Sequence, residues 1–217
     1  MPVKAITRLG SRGDKRWMAR LGVRRRLDPL VRRDLILDVA ARTIADEGVS
    51  AVSMERVGRD AGISKALVYN YFPNRNALLS ELLVREYRVF QGEARQAKEG
   101  VEDFPMLVRV TTRAYLRHVA ERGVLIQRLM NEPAVSSAIR SVDQEGRQLT
   151  VAFFASEIAR HYGLSLTVSA MAADLLMGLT GAAGDYLCRT GADIEAVEDV
   201  VVNMIMAALA QLPATGA

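Results

Sequence analysis

The sequence predicts an all-α protein with a small N-terminal helical domain and a larger C-terminal one. Apolar residues recur at helical spacing along most of the chain, and the alternating patterns typical of strands are absent. No proline occurs between Ala134 and Leu212, which suits long uninterrupted helices. We expect a flexible basic arm over residues 1–27, one domain over 28–91 and a second over 92–217.

Capping residues predict four helices in the first domain. Asp28 and Pro29 form an N-cap followed by proline at the first helical position, and Gly48 ends that helix. A short helix runs from Ser53 to about Ala61, and Gly62 makes a turn. A second short helix extends from its N-cap at Ser64 to Phe72, and a long helix covers 75–98.

Glycine and proline punctuation predicts the helices of the second domain. Gly123, Pro133, Gly163 and Gly191 separate apolar-periodic segments. The predicted helices are 103–122, 124–131, 133–162, 165–189 and 193–211. The last two are apolar on more than one face, which requires cover on most sides.

Composition limits the classes of function. The chain has 217 residues, half of them apolar, and a single cysteine, Cys188, which excludes an internal disulfide. The sequence shows no signal-peptide segment and no continuous apolar run of bilayer-spanning length. We therefore expect a cytoplasmic protein without a membrane partner. Residues 1–33 hold 11 Lys or Arg against Asp14 and Asp28, which favours a polyanion partner at that end.

The segment from Ser53 to Arg75 has the pattern of a helix-turn-helix, so the first domain is predicted to be a three-helix module of that kind followed by a long helix. Apolar residues suited to a small shared core are Val57, Ala61, Ile63, Val68 and Phe72. The second helix leaves six side chains outside or at the edge of that core: Lys65, Ala66, Leu67, Tyr69, Asn70 and Tyr71. Such side chains can contact phosphates and base edges. A core helical hairpin with surface tyrosines is the alternative.

Linked motifs in this segment resemble the DNA-binding domain of the TetR family of repressors. They are Ile36-Leu37, Ala40-Ala41, Gly48, Ala61-Gly62-Ile63-Ser64-Lys65, Tyr69-Asn70-Tyr71-Phe72, Arg75 and Leu78-Leu79. The resemblance implies that Ser64, Lys65 and Ala66 open the recognition helix, and that Leu67 and Asn70 contact bases. It further implies phosphate contacts from Tyr69, Tyr71 and Arg75. Gly58 departs from the family pattern, and glycine inside a helix costs about 1 kcal/mol relative to alanine.

The arginine run of the arm has two interpretations. Arg24, Arg25 and Arg26 precede the first helix and can enter an adjacent minor groove, or they belong to a non-specifically attractive tail. Under both interpretations, deletion of residues 1–27 weakens DNA binding and flattens its salt dependence.

The last two predicted helices suggest a homodimer interface of four helices. Small residues in the first of them, including Gly178, Gly181 and Ala182, permit close approach of another helix. The last helix supplies an apolar stripe with Val201, Met204, Ile205 and Ala208. The resemblance implies the same arrangement. Close packing within one subunit is the alternative.

A predominantly apolar ligand pocket is expected in the second domain. The helix at 103–122 carries Thr111, Tyr115 and His118 on a mostly apolar face, where polar groups need partners. Further candidate lining residues are Met130, Phe153, Phe154, Met171, Asp174 and Met177. Ordinary core positions are the alternative for each. His118 also suits a satisfied core histidine, and Asp174 suits an ion pair with an arginine across the interface.

These features favour a ligand-released repressor of operator DNA, with a small-molecule effector and no cofactor. The alternative is an architectural or regulatory DNA-binding module controlled by a protein partner. Catalysis is not expected, because His118 and His161 lack metal-ligand spacing, and no phosphate-binding loop or nucleophile elbow is present. No metal site is predicted.

Overall fold

A computed structural model describes residues 28–213, apart from the side chains of residues 138, 139 and 141–143. The helices are α1 (Pro29–Glu47), α2 (Met54–Asp60), α3 (Lys65–Tyr71), α4 (Arg75–Lys98), α5 (Phe104–Met130), α6 (Pro133–Tyr162), α7 (Leu166–Thr190) and α8 (Ile194–Ala210), with a 3-10 turn at Val49–Ala51. No strand occurs within this described range. The predicted all-α fold is confirmed.

Side-chain caps fix the bounds of the first helices. Asp28 accepts a hydrogen bond from the Leu30 amide at 2.8 Å, and Ser53 accepts one from the Arg56 amide at 3.1 Å. Ser64 caps α3 through the Leu67 amide at 3.2 Å. Gly48, with φ of 92°, lets the chain leave α1 in a conformation that few other residues adopt. The predicted bounds of α1 to α4 are confirmed within a residue or two.

A first hydrophobic core joins α1 to α4. Ile36, Ile44, Val57, Val68 and Leu78 are completely buried in it. The C-terminal part of α5 enters the same core through Leu125 and Leu129. In addition, Arg128 of α5 donates to the carbonyls of Ile44 and Ala45, at the C-terminal end of α1. Helix α5 is therefore fixed to the helix-turn-helix region at one end.

The predicted break at Gly123 is wrong, because α5 is one helix from Phe104 to Met130. A Cβ atom at position 123 would lie 2.9 Å from the Sγ atom of Cys188 on α7. The glycine therefore permits close approach of two helices. A helix breaker and a helix-packing glycine look the same in one sequence.

A second core lies among α5, α6, α7 and α8 and includes Phe104, Leu116, Ile158 and Leu209. Glu198 of α8 is completely buried and accepts hydrogen bonds from Arg109 at 3.0 Å and from Arg113 at 2.7 Å. These charge-assisted bonds hold α8 against α5.

Helix α7 carries an exposed apolar surface. By length and composition alone it could cross a membrane, although the sequence predicts no spanning run. This is weak evidence for a span, because the core helix of a soluble protein passes the same test.

Candidate DNA-binding surface and ligand pocket

Helix α3 is held on the molecule by a few buried side chains. Val68 is completely buried and Phe72 is 2% exposed. The Ile63 amide donates to the Gly58 carbonyl at 2.9 Å, which closes the turn between α2 and α3. A Cβ atom at Gly58 would lie 3.1 Å from the Ile63 carbonyl oxygen and 3.2 Å from Val68. Thus Gly58, a departure from the family pattern, lets the two helices pack closely.

The outer face of α3 is accessible to a partner. Lys65, Ala66 and Asn70 are exposed, and Tyr69 is 44% exposed. Leu67 is half-buried, and the half-buried Tyr71 packs against the first core. The structure thus brings the sequence-predicted residues of this helix onto one short element, with Ser64 as its N-cap. This surface presents ammonium, amide, phenol and methyl groups, all of which can contact duplex DNA.

Arg75 has a different environment from the one expected of a phosphate-binding residue. Its guanidinium donates to the carbonyls of Val52 at 3.0 Å and Val49 at 2.8 Å, and lies 3.7 Å from the Glu132 carboxylate. These hydrogen bonds use two of the five N–H donors of the guanidinium and direct it toward the 3-10 turn. Arg75 therefore anchors the 3-10 turn to α4. The phosphate contact of Arg75 stays a prediction.

Two arginines of α2 are also paired. Arg56 bridges Glu47 and Asp60, and its hydrogen bond lowers the pKa of the Glu47 carboxyl. The same bond raises the pKa of the Arg56 guanidinium. Arg59 lies 3.2 Å from Asp60 but is 71% exposed. Arg24, Arg25 and Arg26 lie outside the described residues.

A cavity of about 530 Å³ lies between α4, α5, α6, α7 and α8. Four of the predicted residues line it: Thr111, Tyr115, Phe154 and Met177. Burial raises the pKa of the Tyr115 phenol, so the neutral hydroxyl is favoured there. The volume is in the range of small-molecule pockets, and the lining combines apolar walls with a few polar groups.

Five predicted pocket residues lie elsewhere. His118 is buried against Phe90 and hydrogen bonds to Glu93 at 3.1 Å, so the core-histidine alternative describes it. Met130 and Met171 are exposed, at 43% and 55%. Methionine fills gaps or covers surfaces equally well, so its presence did not locate the cavity.

The other two misplaced residues lie beside the cavity. Asp174 pairs with Arg147 of the same chain at 2.7 Å, so the expected pairing across an interface is corrected. Phe153 lines a neighbouring groove, where the Lys98 ammonium lies 3.9 Å from its ring centre.

Sequence reasoning missed the contribution of α4 to the cavity. Its C-terminal half supplies Tyr87, Phe90, Gln91, Ala94, Arg95 and Lys98. These residues follow the three- and four-residue spacing of one helix face, which is the signal that could have found them. Gly146 of α6 lies against this face, since a Cβ there would overlap the Tyr87 side chain.

The predicted dimer residues divide into two groups. Val201 and Ile205 are buried in the second core of their own chain, and Gly181 lines the cavity, so these three are corrected. Gly178, Ala182, Met204 and Ala208 are accessible. Exposed apolar side chains beside them include Leu175 at 76% and Val200 at 59%. We name the exposed face formed by Met171, Leu175, Gly178, Ala182, Val200, Met204 and Ala208 the α7–α8 face.

Close packing within one chain explains only some of the small residues of α7. A Cβ atom at Gly184 would lie 2.9 Å from the Tyr115 ring, whereas one at Gly178 would meet no described atom within 4 Å.

In residues 28–213 no three His, Cys, Asp or Glu side chains form a group that could hold a metal ion.

Comparison with known proteins places this geometry in context. Residues 36–82 match the family model described as bacterial regulatory proteins, tetR family. The HTH-type transcriptional regulator BetI of Rhizobium meliloti (strain 1021) is 45% identical over 49 residues, which are 23% of this chain and 24% of that protein. The chain thus matches about a quarter of the length of that curated relative.

Solved structures are similar over most of the chain. A TetR-like transcriptional regulator from Rhodococcus sp. RHA1 has a TM-score of 0.69 at 21% identity, over 86% of this chain and 100% of that one. The SmeT–triclosan complex has a TM-score of 0.63 at 20% identity, over 82% of this chain and 91% of that one. At these identities the likeness establishes the fold alone.

Proposed function

The chain is a TetR-family protein by its DNA-binding domain, and we propose that it is a sequence-specific transcriptional repressor released from its operator by a small apolar or amphipathic ligand. It acts as a homodimer on double-stranded DNA in the cytoplasm, without a cofactor and without catalysis. The division into an arm (1–27), a DNA-binding domain (28–91) and a ligand-binding and dimerisation domain (92–217) is part of the proposal.

The observation that carries this proposal is the exposed outer face of α3. Val68 and Phe72 fix the helix from below, while Lys65 and Asn70 extend into solvent. A helix held in this way can enter the major groove, where asparagine pairs with adenine and lysine binds guanine or phosphate.

Dimerisation is supported by the α7–α8 face. Its side chains form an apolar surface on two adjacent helices, of the kind that marks an interaction site. An isologous pairing of this face sets two copies of α3 against successive major grooves, about 34 Å apart, as a palindromic operator requires.

Control by a small molecule is supported by the cavity. Its volume suits a small ligand, and SmeT, which shares the fold, forms a complex with triclosan. Control by a protein partner alone offers no reason for such a cavity, so this alternative is not favoured. A ligand that binds one conformation more tightly lowers operator affinity through linkage.

The test is DNA binding by the full chain, measured by fluorescence anisotropy on duplexes selected from a random library. Asn70→Ala is expected to weaken binding of the selected sequence by about 1–3 kcal/mol, which is about 5- to 150-fold, with little change in melting temperature. The control is Arg160→Ala at the far end of α6, which leaves affinity unchanged. Failure to select any sequence, or equal effects of the two substitutions, contradicts the proposal.

The basic arm is tested by deleting residues 1–27. We expect weaker binding and a smaller slope of log affinity against log salt, because fewer phosphates are neutralised. An unchanged affinity and slope would remove the arm from the binding surface.

A further inference from the structure

The exposed lining residues of the cavity all belong to α4 and α6. They are Gln91, Arg95, Arg147, Leu149 and Thr150. The lining residues from α5, α7 and α8 are buried or half-buried. The cavity therefore opens to solvent between α4 and α6, and we call this opening the α4–α6 mouth.

Arginines lie on both sides of the α4–α6 mouth, and the charged residues of the cavity lining are all cationic. Arg95 is on α4 and Arg147 is on α6, and Lys98 lies one helical turn beyond Arg95. The described lining includes no Asp or Glu. A lining whose charged groups are all cations favours an anion over a cation, although Asp174 offsets the charge of Arg147.

The three cations differ in how they are engaged. Arg147 pairs with Asp174, which lies outside the lining, and Lys98 lies over the Phe153 ring. Arg95 has no carboxylate within ion-pair distance among the described residues. Arg95 is therefore the cation most available to a ligand, and its planar guanidinium suits a carboxylate.

The interior of the cavity is mainly apolar. Phe104, Val108, Ile158, Ile205 and Leu209 line it and are buried. Aliphatic and aromatic walls of this kind stabilise a hydrocarbon by removing its surface from water.

We propose that the effector is an amphipathic carboxylate, which enters tail-first through the α4–α6 mouth and leaves its carboxylate beside Arg95 and Arg147. This inference rests on the proposed function, since it names the chemical class that the pocket accepts. A neutral apolar effector needs no cations at the mouth, and an amphipathic cation would be repelled by them.

The experiment compares three probes with the same tail, namely decanoate, decanol and decyltrimethylammonium, by calorimetry on the full chain below their aggregation concentrations. Decanoate is expected to bind most tightly and decyltrimethylammonium most weakly. Arg95→Gln is expected to weaken decanoate binding about three- to tenfold and to leave decanol binding unchanged. Arg95→Lys retains much of the preference, and higher salt reduces it.

The matched control is Arg88→Gln on the same helix, since Arg88 is 71% exposed and does not line the cavity. Equal affinities for the three probes, or equal losses in Arg95→Gln and Arg88→Gln, would overturn the carboxylate proposal. The DNA-binding measurement described above is independent of these probes. A chain that binds its selected DNA but prefers decanol therefore keeps the proposed function and loses this inference.

Discussion

The two halves of this molecule bury their apolar residues to different extents. In the helix-turn-helix region, Ile36, Val57, Val68 and Leu78 are completely buried, and the exposed face of α3 is mainly polar. In the region of α5 to α8, the core encloses a cavity and the α7–α8 face exposes large apolar side chains. A well-packed core holds the exposed face of α3 in a fixed position. An incomplete core leaves room for a ligand and a second subunit.

Two long helices belong to both halves. The N-terminal part of α4 supplies Leu78 and Leu82 to the first core, and its C-terminal part lines the cavity. In helix α5 the N-terminal part lines the cavity and the C-terminal part enters the first core. Arg85 of α4 also pairs with Asp38 of α1 at 2.7 Å. Because these helices are unbroken, we expect a change in spacing between α4 and α6 to alter the position of α3.

The largest effect is expected from charged substitutions on the exposed α7–α8 face of the second half. The double variant Leu175→Arg with Met204→Lys places charges on the α7–α8 face, where each residue is more than half exposed in the single chain. We expect a folded monomer with operator affinity lower by about 10²- to 10⁴-fold, because the two half-sites are no longer bound together. Light scattering and anisotropy measure the two consequences.

Met106→Lys on α5 is the control for this variant, since Met106 is also exposed, at 48%, but lies outside the α7–α8 face. It is expected to keep both the dimer and the affinity. A double variant that stays dimeric would show that the subunits meet elsewhere.

The sequence was most informative about the first half, because its signals are local. Ser53 and Ser64 cap helices within three residues of themselves, and Gly48 ends α1 where a positive φ is needed. The exposed positions of α3 followed from the apolar residues assigned to the shared core, which include Val68 and Phe72. Arg75 is the exception, since its partners Val49 and Val52 lie more than twenty residues away in the chain.

Prediction of the second half failed where the role of a residue depends on contacts between helices that are distant in the sequence. The role of Gly123 depends on Cys188, and the roles of Tyr87 and Arg95 depend on which face of α4 meets α6. Val201 and Met204 are three residues apart on one apolar helix, yet one is buried and the other exposed. No local pattern distinguishes a stripe that faces its own chain from one that faces a partner.

A smaller effect tests whether Arg75 stabilises the first half of the molecule. Arg75→Ala removes two hydrogen bonds to backbone carbonyls, so we expect the free energy of unfolding to fall by about 1–3 kcal/mol. Lys65→Ala should leave stability unchanged and reduce the salt slope of DNA binding by about 1. Denaturant titrations and salt series separate the two residues. A smaller salt slope with unchanged stability in Arg75→Ala would assign Arg75 to phosphate binding instead.

The last prediction compares alanine substitutions at two glycines of α7. Both are made in the double variant Leu175→Arg with Met204→Lys, whose α7–α8 face is expected to have no partner. Alanine at either position gains about the same helix propensity, roughly 1 kcal/mol. At Gly184 the new methyl group would lie 2.9 Å from the Tyr115 ring, whereas at Gly178 it meets no described atom. Gly184→Ala is therefore expected to be less stable than Gly178→Ala by about 1–3 kcal/mol, the usual cost of overpacking. The displaced ring has the cavity to move into, so Gly184→Ala should also weaken decanoate binding while Gly178→Ala should not. Stability is measured by urea unfolding. Equal stabilities of the two variants would contradict the prediction, because they would mean that the Tyr115 ring moves away from the new methyl group without cost.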